Sequence, residues 1–429
     1  MKTVLKNKQF LLLILGRTTS NLGSNMQQFA LSLYVYSITG SPKLFASLLA
    51  ISIVPRLLLS PIAGIFGDWF DRKKSIVSID LINGLVIGLY GVYYLLNGKL
   101  SILSIYILVI FLETTEVFFG SAMAAVVPSI VKKENLFEAN KLSSISRSLS
   151  DVLSPIIASS LYALLGLQLI LFINSISFIV SALFELLIKI PAFHKKPSKI
   201  NFKAFSSDFI AGVNIVREHK IFITIIGLGL FLNFALAPLF SVGLIYIMFD
   251  LFKATEIQYG TLTTIMAVSM LIGPLFFGKR IQKVPVGKLT LISFSIINAL
   301  IFVFALITHP ALLTTFNSNL IPIILTTIIV FLIGLSATLV NISISTLFGK
   351  LVPKEFMGRT GTVMAFFLTI ATPLGQLFFG FLIDLTSALT TISIIGVIVF
   401  IAIIFFSKSL LEADAEQESF NKEKIQTVL

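Results

Sequence analysis

The stretch GIFGDWFDRKKS, residues 64–75, decides how the rest of the chain is interpreted. Five of its seven residues at 68–74 are charged, namely Asp68, Asp71, Arg72, Lys73 and Lys74. Long apolar runs flank it, LLAISIVPRLLLSPIA before and IVSIDLINGLVIGLYGVYYLL after. A short charged segment between two apolar runs is typical of the loop that joins two membrane-spanning helices.

The composition excludes an ordinary water-soluble protein. Of the 429 residues, 56% are hydrophobic and 12% are charged, whereas a soluble globular chain has about 25% charged residues. The mean hydropathy is +0.99. Apolar runs of about 20 residues recur along the chain, and a helix of that length crosses the roughly 30 Å hydrocarbon core of a bilayer. We therefore predict an all-α integral membrane protein with many membrane crossings.

Hydropathy predicts twelve membrane-spanning helices, here named span one to span twelve. Their predicted bounds are 10–37, 43–67, 76–96, 101–127, 143–165, 167–189, 221–247, 257–278, 288–308, 320–348, 359–384 and 387–407. With both termini in the cytoplasm, all but five of the 32 Lys and Arg residues fall on cytoplasmic segments. That asymmetry is expected because cytoplasmic loops collect positive charge. The exceptions are Lys43, Lys99 and Lys253 in external loops and Arg17 and Arg56 within the membrane.

A polar segment divides the spans into two halves. The predicted parts are an N-terminal six-helix half at 1–190, a cytoplasmic linker at 191–220, a C-terminal six-helix half at 221–408 and a cytoplasmic tail at 409–429. The linker has apolar residues at three- and four-residue spacing, namely Phe202, Phe205, Phe209, Val213 and Val216. This spacing predicts an amphipathic helix on the inner membrane surface. The halves also echo each other weakly, since SPIAGIFGDWFDRKK has a counterpart in GPLFFGKRIQKVPVGK, and internal repeats are common in transporters.

The charged hairpin resembles the signature of the major facilitator superfamily, in which a glycine, an acid four positions on and a basic pair lie between spans two and three. Those positions here are Gly64, Asp68, Arg72 and Lys73. Asp71 stands where the signature usually has a glycine. The segments GRTTSNLGSNMQQFAL, TGSPKLFASLLA, NLFEANKLSS and VPKEFMGRTGTV are similar, in place and order, to the drug- and macrolide-efflux branch of that superfamily. The resemblance covers essentially the whole chain and implies a proton antiporter in the cell membrane of a bacterium.

The resemblance also implies a conformational gate at the hairpin. In a two-half fold the Asp68 carboxylate can meet the N-terminus of span eleven. A helix N-terminus carries about half a positive charge and stabilises a nearby anion by roughly 0.3–1 kcal/mol. Such a contact would close the inner face of the transporter. The expected gate residues are Gly64, Asp68, Arg72, Lys73, Gly358 and Arg359.

Ionisable side chains inside spans are functional candidates, because an unpaired charge in lipid is costly. Glu113 and Glu116 lie one turn apart near the middle of span four, on one helix face, and are the proton-coupling candidates. Efflux members often place an arginine four residues before the glycine of this span, where this chain has Glu116 before Gly120. The candidates for polar cavity residues are Arg17, Asn21, Asn25, Gln28, Arg56 and Asn233.

Span five contains SDVLSPIIAS, which resembles a degenerate form of the glycine-proline motif of exporters. The expected helix-packing residues are Ser154, Pro155, Ala158 and Ser159. Their small side chains permit close approach of neighbouring helices, and the motif weakly favours efflux over uptake. In the same span, Arg147 and Asp151 are four residues apart and are expected to form a static ion pair.

These observations predict a secondary active exporter of small lipophilic compounds, multidrug or macrolide-like, driven by proton antiport through alternating access. The chain has no nucleotide-binding loop of the G-x-x-x-x-G-K-[ST] type, no cysteine and no nucleophile–base or metal-ligand cluster. We therefore expect no enzyme activity and no metal or other cofactor.

Other functions of the same fold stay open at this point. They are a lipid or lysolipid flippase and a proton-coupled uptake transporter, and a third class is a transport-dead membrane sensor or scaffold. The expected partners are a small-molecule substrate, protons and the lipid bilayer. The net charge of +12 is explained by membrane topology and not by nucleic acid, and we expect a monomer.

Overall fold

The structure is a computed structural model of the chain. It describes residues 4, 6–69, 71–124, 126–190, 210, 213–214, 216–217, 220–281, 284–315, 318–351 and 357–426. At 60–69, 124, 133, 137, 220–222, 274–281, 345–351, 357–360, 362 and 413–426 the description is limited to the backbone. The linker positions Phe202, Phe205 and Phe209, on which the predicted amphipathic helix depends, lie outside the described residues.

The described residues are almost entirely helical. The principal helices are Lys8–Thr39, Pro42–Trp69, Arg72–Asn97, Ile102–Ala124, Leu136–Leu187, Lys220–Phe231, Glu256–Ile281, Val286–Ile307, Leu320–Leu351, Met357–Leu385 and Ala388–Gln426. Nine helices in the described residues are long and apolar enough to cross a membrane. The prediction of an all-α membrane protein is confirmed, and the number of crossings stays a prediction.

Glycines end or break the helices where the sequence map places loops. Gly40 and Gly98 follow spans one and three with φ of 58° and 70°, a region that a glycine occupies at little cost. Spans five and six share the helix Leu136–Leu187, and Gly166 breaks it between them with φ of 72°. Short loops of this kind make successive helices run antiparallel.

Asp71 begins span three. Its carboxylate accepts a hydrogen bond from the backbone N–H of Lys74 at 3.1 Å, which satisfies one of the free N–H groups of the first helical turn. An acid therefore occupies this position of the hairpin for a local reason, as the N-cap of span three.

The outer surface of the helices is apolar. Leu96, Leu164 and Phe405 are 78%, 75% and 74% exposed. Leaving such a side chain in water costs about 1.5–3 kcal/mol relative to burial, so these faces fit lipid and not water. Several more leucines, isoleucines and phenylalanines share this exposure.

The chain forms two compact units, one of residues 1–201 with 255–264 and the other of residues 202–254 with 265–429. In the first unit, span six packs closely against glycines of spans one and three. Gly16 of span one lies against Ser181, and Gly84 of span three lies against the carbonyl of Ser175. Without a Cβ at these positions, span six approaches both helices and the Ser175 hydroxyl donates a 2.6 Å hydrogen bond to the Gly84 carbonyl.

In the second unit, span seven is wound more loosely than an α-helix. Three π-helical turns, Leu232–Leu236, Leu239–Gly243 and Ile247–Leu251, interrupt it. Gly375 of span eleven lies directly against the backbone carbonyl of Phe234 in the first of these turns. Spans seven and eleven are thus held together backbone to backbone.

We predict that Gly375→Ala destabilises the protein, because the added methyl group would collide with the Phe234 carbonyl oxygen, which cannot move without shifting the helix. Overpacking of this kind costs about 1–3 kcal/mol. The measurement is the thermal unfolding temperature in detergent. Gly120→Ala is the matched control, since a methyl group at Gly120 meets nothing within 4 Å; equal unfolding temperatures for the two variants would contradict the packing described.

Candidate functional site

Arg17 of span one forms an ion pair with Glu116 of span four. Its Nη2 donates a hydrogen bond of 2.6 Å to Glu116 Oε1, a length typical of strong charge-assisted bonds. The guanidinium also lies 4.5 Å from the centre of the Phe119 ring, within the range of a cation–π contact. Glu116 and Phe119 are one helical turn apart, so span four presents both groups to the same arginine.

Arg56 of span two lies near Glu113, the other acid of span four. The Nη2–Oε2 distance is 3.7 Å, and the side chains are 57% and 23% exposed. This ion pair is longer than the one between Arg17 and Glu116 and is therefore weaker. Glu113 and Glu116, on one side of span four, thus pair with arginines from two different helices.

The polar residues predicted in spans one, two and four line one cavity of the first unit. Its volume is about 240 Å³, below the roughly 300–1,000 Å³ of a pocket for a drug-sized ligand. The cavity of this unit alone therefore holds only part of such a ligand. Seven predicted residues line it, namely Arg17, Asn21, Asn25, Gln28, Arg56, Glu113 and Glu116.

The ion pair between Arg17 and Glu116 also lines a second cavity of the first unit, bordered by apolar side chains such as Phe10, Met123 and Leu136. Both partners of the pair thus belong to the walls of both cavities. A change in this ion pair would alter the polarity of both spaces together.

Asp151 of span five bonds to span one. Asn25 Nδ2 donates to Asp151 Oδ1 at 2.8 Å, and the ion pair that we expected between Arg147 and Asp151 is not among those formed by the described residues. The carboxylate finds a donor on the neighbouring helix, so the pairing four residues apart within span five is not made. Both Arg147 and Asp151 line the first cavity.

The small residues of span five permit a close helix contact. Ala158 and Ser159 are fully buried, and the Ser154 hydroxyl donates to the Ser150 carbonyl at 2.6 Å. Gly260, which belongs to the same unit, lies against the Ser159 hydroxyl and the Pro155 carbonyl. Its lack of a side chain lets span eight reach span five at the predicted motif.

Asn233 lies in the second unit, where it joins spans seven and eleven. Its Oδ1 accepts a 3.1 Å hydrogen bond from Thr372 Oγ1, and its Nδ2 donates to the Gly229 carbonyl at 2.9 Å. These bonds give Asn233 a packing role within that unit, next to the proline of span eleven.

The gate residues are only partly described. Gly64, Asp68, Gly358 and Arg359 lie on helices described there by their backbone alone, so the expected contact of Asp68 lies outside the described side chains. Lys73 Nζ donates to the Leu186 carbonyl at the end of span six at 2.7 Å. At least one basic residue of the hairpin is therefore hydrogen-bonded within the first unit. The gate stays a prediction, and so does the role of Arg72 in it.

The sequence analysis named neither of two buried acidic residues of the first unit as a candidate. Glu185 and Asp80 are each 1% exposed, although both lie close to the ends of spans six and three, where charged residues usually reach water. The available signal was the apolar setting, SALFELLIKI at 181–190 and IVSIDLIN at 76–83. Their burial depends on which helices are neighbours, and no local pattern shows that.

We predict that the ion pair between Arg17 and Glu116 has a coupling energy that an exposed pair lacks. In a double-mutant cycle with Arg17→Met and Glu116→Gln, each single variant breaks the bond and leaves its charged partner behind, whereas the double variant removes both charges, which gives a coupling of roughly 0.5–3 kcal/mol. Unfolding in detergent measures it. The control is the same cycle at Lys408 and Glu412, an exposed 4.0 Å pair four residues apart, where about 0.3–0.5 kcal/mol is expected; equal couplings would show that the Arg17 pair is no stronger than a surface pair.

The fold is that of a polytopic helical transporter. Residues 13–375 match the sequence profile of the Major Facilitator Superfamily, and the chain belongs to that superfamily. It is 23% identical to macrolide efflux protein A of Streptococcus pyogenes over 372 residues, which cover 84% of this chain and 85% of that protein. Family and fold are those of transporters and not of enzymes, and the protein is a multi-pass protein of the cell membrane.

Solved structures share this fold at low identity. The crystal structure of nucleoside transporter NupG has a TM-score of 0.69 at 12% identity and covers 94% of this chain and 98% of that chain. The crystal structure of a bacterial homologue of iron transporter ferroportin in an inward-facing state has a TM-score of 0.65 at 17% identity, again covering 94% and 98%. At such identities the likeness establishes the fold and leaves the substrate undetermined.

Proposed function

We propose that this transporter exports small lipophilic compounds in exchange for protons, by alternating access of its two six-helix halves. The observation that carries the proposal is the ion pair between Arg17 and Glu116 in the wall of a polar cavity. Its acid lies inside the membrane, where an ionisable group is a functional candidate. Similarity to a macrolide efflux protein supports the outward direction of transport.

The geometry allows a proton and a compound to compete for the same groups. Glu116 in its charged form holds Arg17, and a proton on Glu116 removes the charge that makes this bond strong. The freed guanidinium stays within electrostatic range of two other acids of the first unit, Asp80 and Glu185. A cationic compound in the cavity favours charged Glu113 and Glu116, whereas a proton favours the empty cavity. Because the two ligands exclude each other, the protein exchanges one for the other.

We predict that the direction of proton flow identifies the exchange. Purified protein is reconstituted in liposomes with a trapped pH dye and no imposed gradient, and lipophilic cations or macrolides are added outside one at a time. Antiport drives protons out as the compound enters, so the interior becomes alkaline. Glu116→Gln should lose the compound-dependent flow, while Asp384→Asn, which changes an exposed carboxyl near the end of span eleven, should keep it.

The same assay separates the competing functions. A proton-coupled uptake transporter would carry protons inward with the compound and acidify the interior. No flow with any compound, together with movement of a fluorescent lysolipid between leaflets, would identify a lipid flippase. A folded protein that moves neither would be a sensor or scaffold, and each of these results would overturn the proposed exchange.

The proposed gate predicts that Asp68→Asn slows transport several-fold without loss of membrane insertion, because the neutral amide is attracted less strongly to a helix N-terminus. The measurement is compound flux in the same liposomes. Asp71→Asn is the matched control three residues away, since asparagine also caps helices well. Normal flux in Asp68→Asn would contradict the gate.

A further inference from the structure

Asp80 of span three and Glu185 of span six form a buried acidic pair. Each residue is 1% exposed, and their four carboxylate oxygens have no hydrogen bond of good geometry to the residues that the structure describes, although the Ser181 hydroxyl lies close to Asp80. Each carboxylate lies within electrostatic range of Arg17, and Glu185 also lies within range of Asp80. Neither residue lines the two cavities described above.

The close packing of span six explains how the pair arises. Spans three and six run antiparallel, and Gly84 of span three lies against Ser175 of span six. Asp80 lies one helical turn before Gly84. In the antiparallel arrangement it is therefore opposite residues of span six that follow Ser175, and this brings it toward Ser181 and Glu185. Gly16 of span one contacts Ser181 from the other side. Three helices thus enclose the two acids.

The surroundings of the pair contain too little positive charge to balance it. Span one contributes Arg17, which is already bonded to Glu116 of span four, and the charges of Arg17 and Glu116 both reach Asp80. Lys73 at the start of span three is engaged by the Leu186 carbonyl, and Lys189 beyond the end of span six is exposed. With Arg17 neutralised by Glu116, two ionised carboxylates would leave two uncompensated buried charges, which is strongly unfavourable.

The Ser181 hydroxyl helps to identify the ligand that would neutralise the charge of Asp80 and Glu185. This hydroxyl is fully buried, forms no hydrogen bond of good geometry with the described residues and lies close enough to Asp80 to donate to its carboxylate after a small adjustment. Two carboxylates and one hydroxyl are too few oxygen ligands for Ca²⁺, which takes six to eight, or for Mg²⁺, which needs about six. A proton needs no further ligand, and one proton on each carboxylate removes both buried charges.

We propose that Asp80 and Glu185 form a proton-binding site whose occupancy is set by Arg17. While Glu116 holds Arg17, the pair keeps its protons. When a proton binds Glu116, the guanidinium is released and can neutralise one carboxylate of the pair, and that carboxylate gives up its proton. One proton is bound at Glu116 and one leaves the pair, so charge is conserved. The use of this step in transport rests on the proposed proton exchange, whereas the binding of protons does not.

The test is infrared spectroscopy of the full-length protein in lipid nanodiscs near neutral pH, with no compound and no gradient. A protonated carboxylic acid has a carbonyl stretch separate from the carboxylate and amide bands, and it shifts in heavy water. We expect this band in the wild type, reduced by at least one carboxyl equivalent in Asp80→Asn and in Glu185→Gln. Asp384→Asn, which alters an exposed carboxyl, should leave the band unchanged.

The switch by Arg17 has its own readout. Glu116→Gln leaves both acids of the pair in place but frees Arg17, so the carboxylic acid band should fall as it does in Asp80→Asn. Adding Arg17→Met to Glu116→Gln should restore the band, because the competing guanidinium is then gone. A merely structural role for Arg17 would not restore it.

Two results would overturn the proposal. One is a wild-type spectrum without the band, or with a band that both Asp80→Asn and Glu185→Gln leave intact. The other is a carboxylic acid band that Glu116→Gln leaves unchanged, which would show that Arg17 does not control the protonation of the pair. If the variants of the pair fail to fold, the wild type decides alone: as the pH is raised, a carboxylic acid band that is already lost at mildly acidic pH would show that the pair is ionised near neutral pH. Failure of compound transport would leave these spectra unaffected.

Discussion

A charge that lies between membrane-spanning helices must be neutralised inside the protein, because lipid supplies neither water nor counterions. In the first unit, Arg17 pairs with Glu116 and Arg56 pairs with Glu113. Arg17 lies within electrostatic range of Glu116, Asp80 and Glu185, and it bonds to Glu116. In the proposed site, whichever acid holds the guanidinium determines which of the others must be neutral. The proposal therefore ties the protonation of one helix interface to the ion pair at another.

This charge arrangement depends on close packing of the backbone. Gly16 directly precedes Arg17, and it is one of the positions at which span one touches span six. Gly84 lies one turn after Asp80 and plays the same part for span three. A larger residue at either glycine would push span six outward and separate Glu185 from Asp80 and Arg17. The glycines thus contribute to the electrostatics although they carry no charge.

The two units use polar residues differently in the described parts of the chain. In the first, ionised groups from spans one, two and four surround a cavity. In the second, Asn233 and Thr372 join spans seven and eleven through a neutral hydrogen bond, beside π-helical turns and a backbone contact at Gly375. Weakly bonded π turns and a proline are common where helices bend. Among the described residues, the ion pairs that line a cavity thus lie in the first unit.

Local sequence patterns were sufficient to predict an all-α membrane protein, and the number of its spans stays a prediction. Apolar runs of membrane length predicted the spans, and the charged stretch at 64–75 predicted a loop where span two ends at Trp69 and span three begins at Arg72. Glu113 and Glu116 were predicted to share a helix face, and both line one cavity. These predictions succeed because hydropathy and helical periodicity depend only on neighbours in sequence.

Pairing between helices was decided by the tertiary structure. The sequence contains Arg17, Arg56, Asp80, Glu113, Glu116 and Glu185 without showing which of them meet. Asp151 bonds to Asn25 of another helix and not to Arg147 four residues away, and Glu185 is buried although it lies near a helix end. Such contacts join residues about one hundred positions apart and depend on how closely backbones approach at glycines. The sequence by itself determined that the charges lie within the membrane, and the packing of the helices decided which of them neutralise each other.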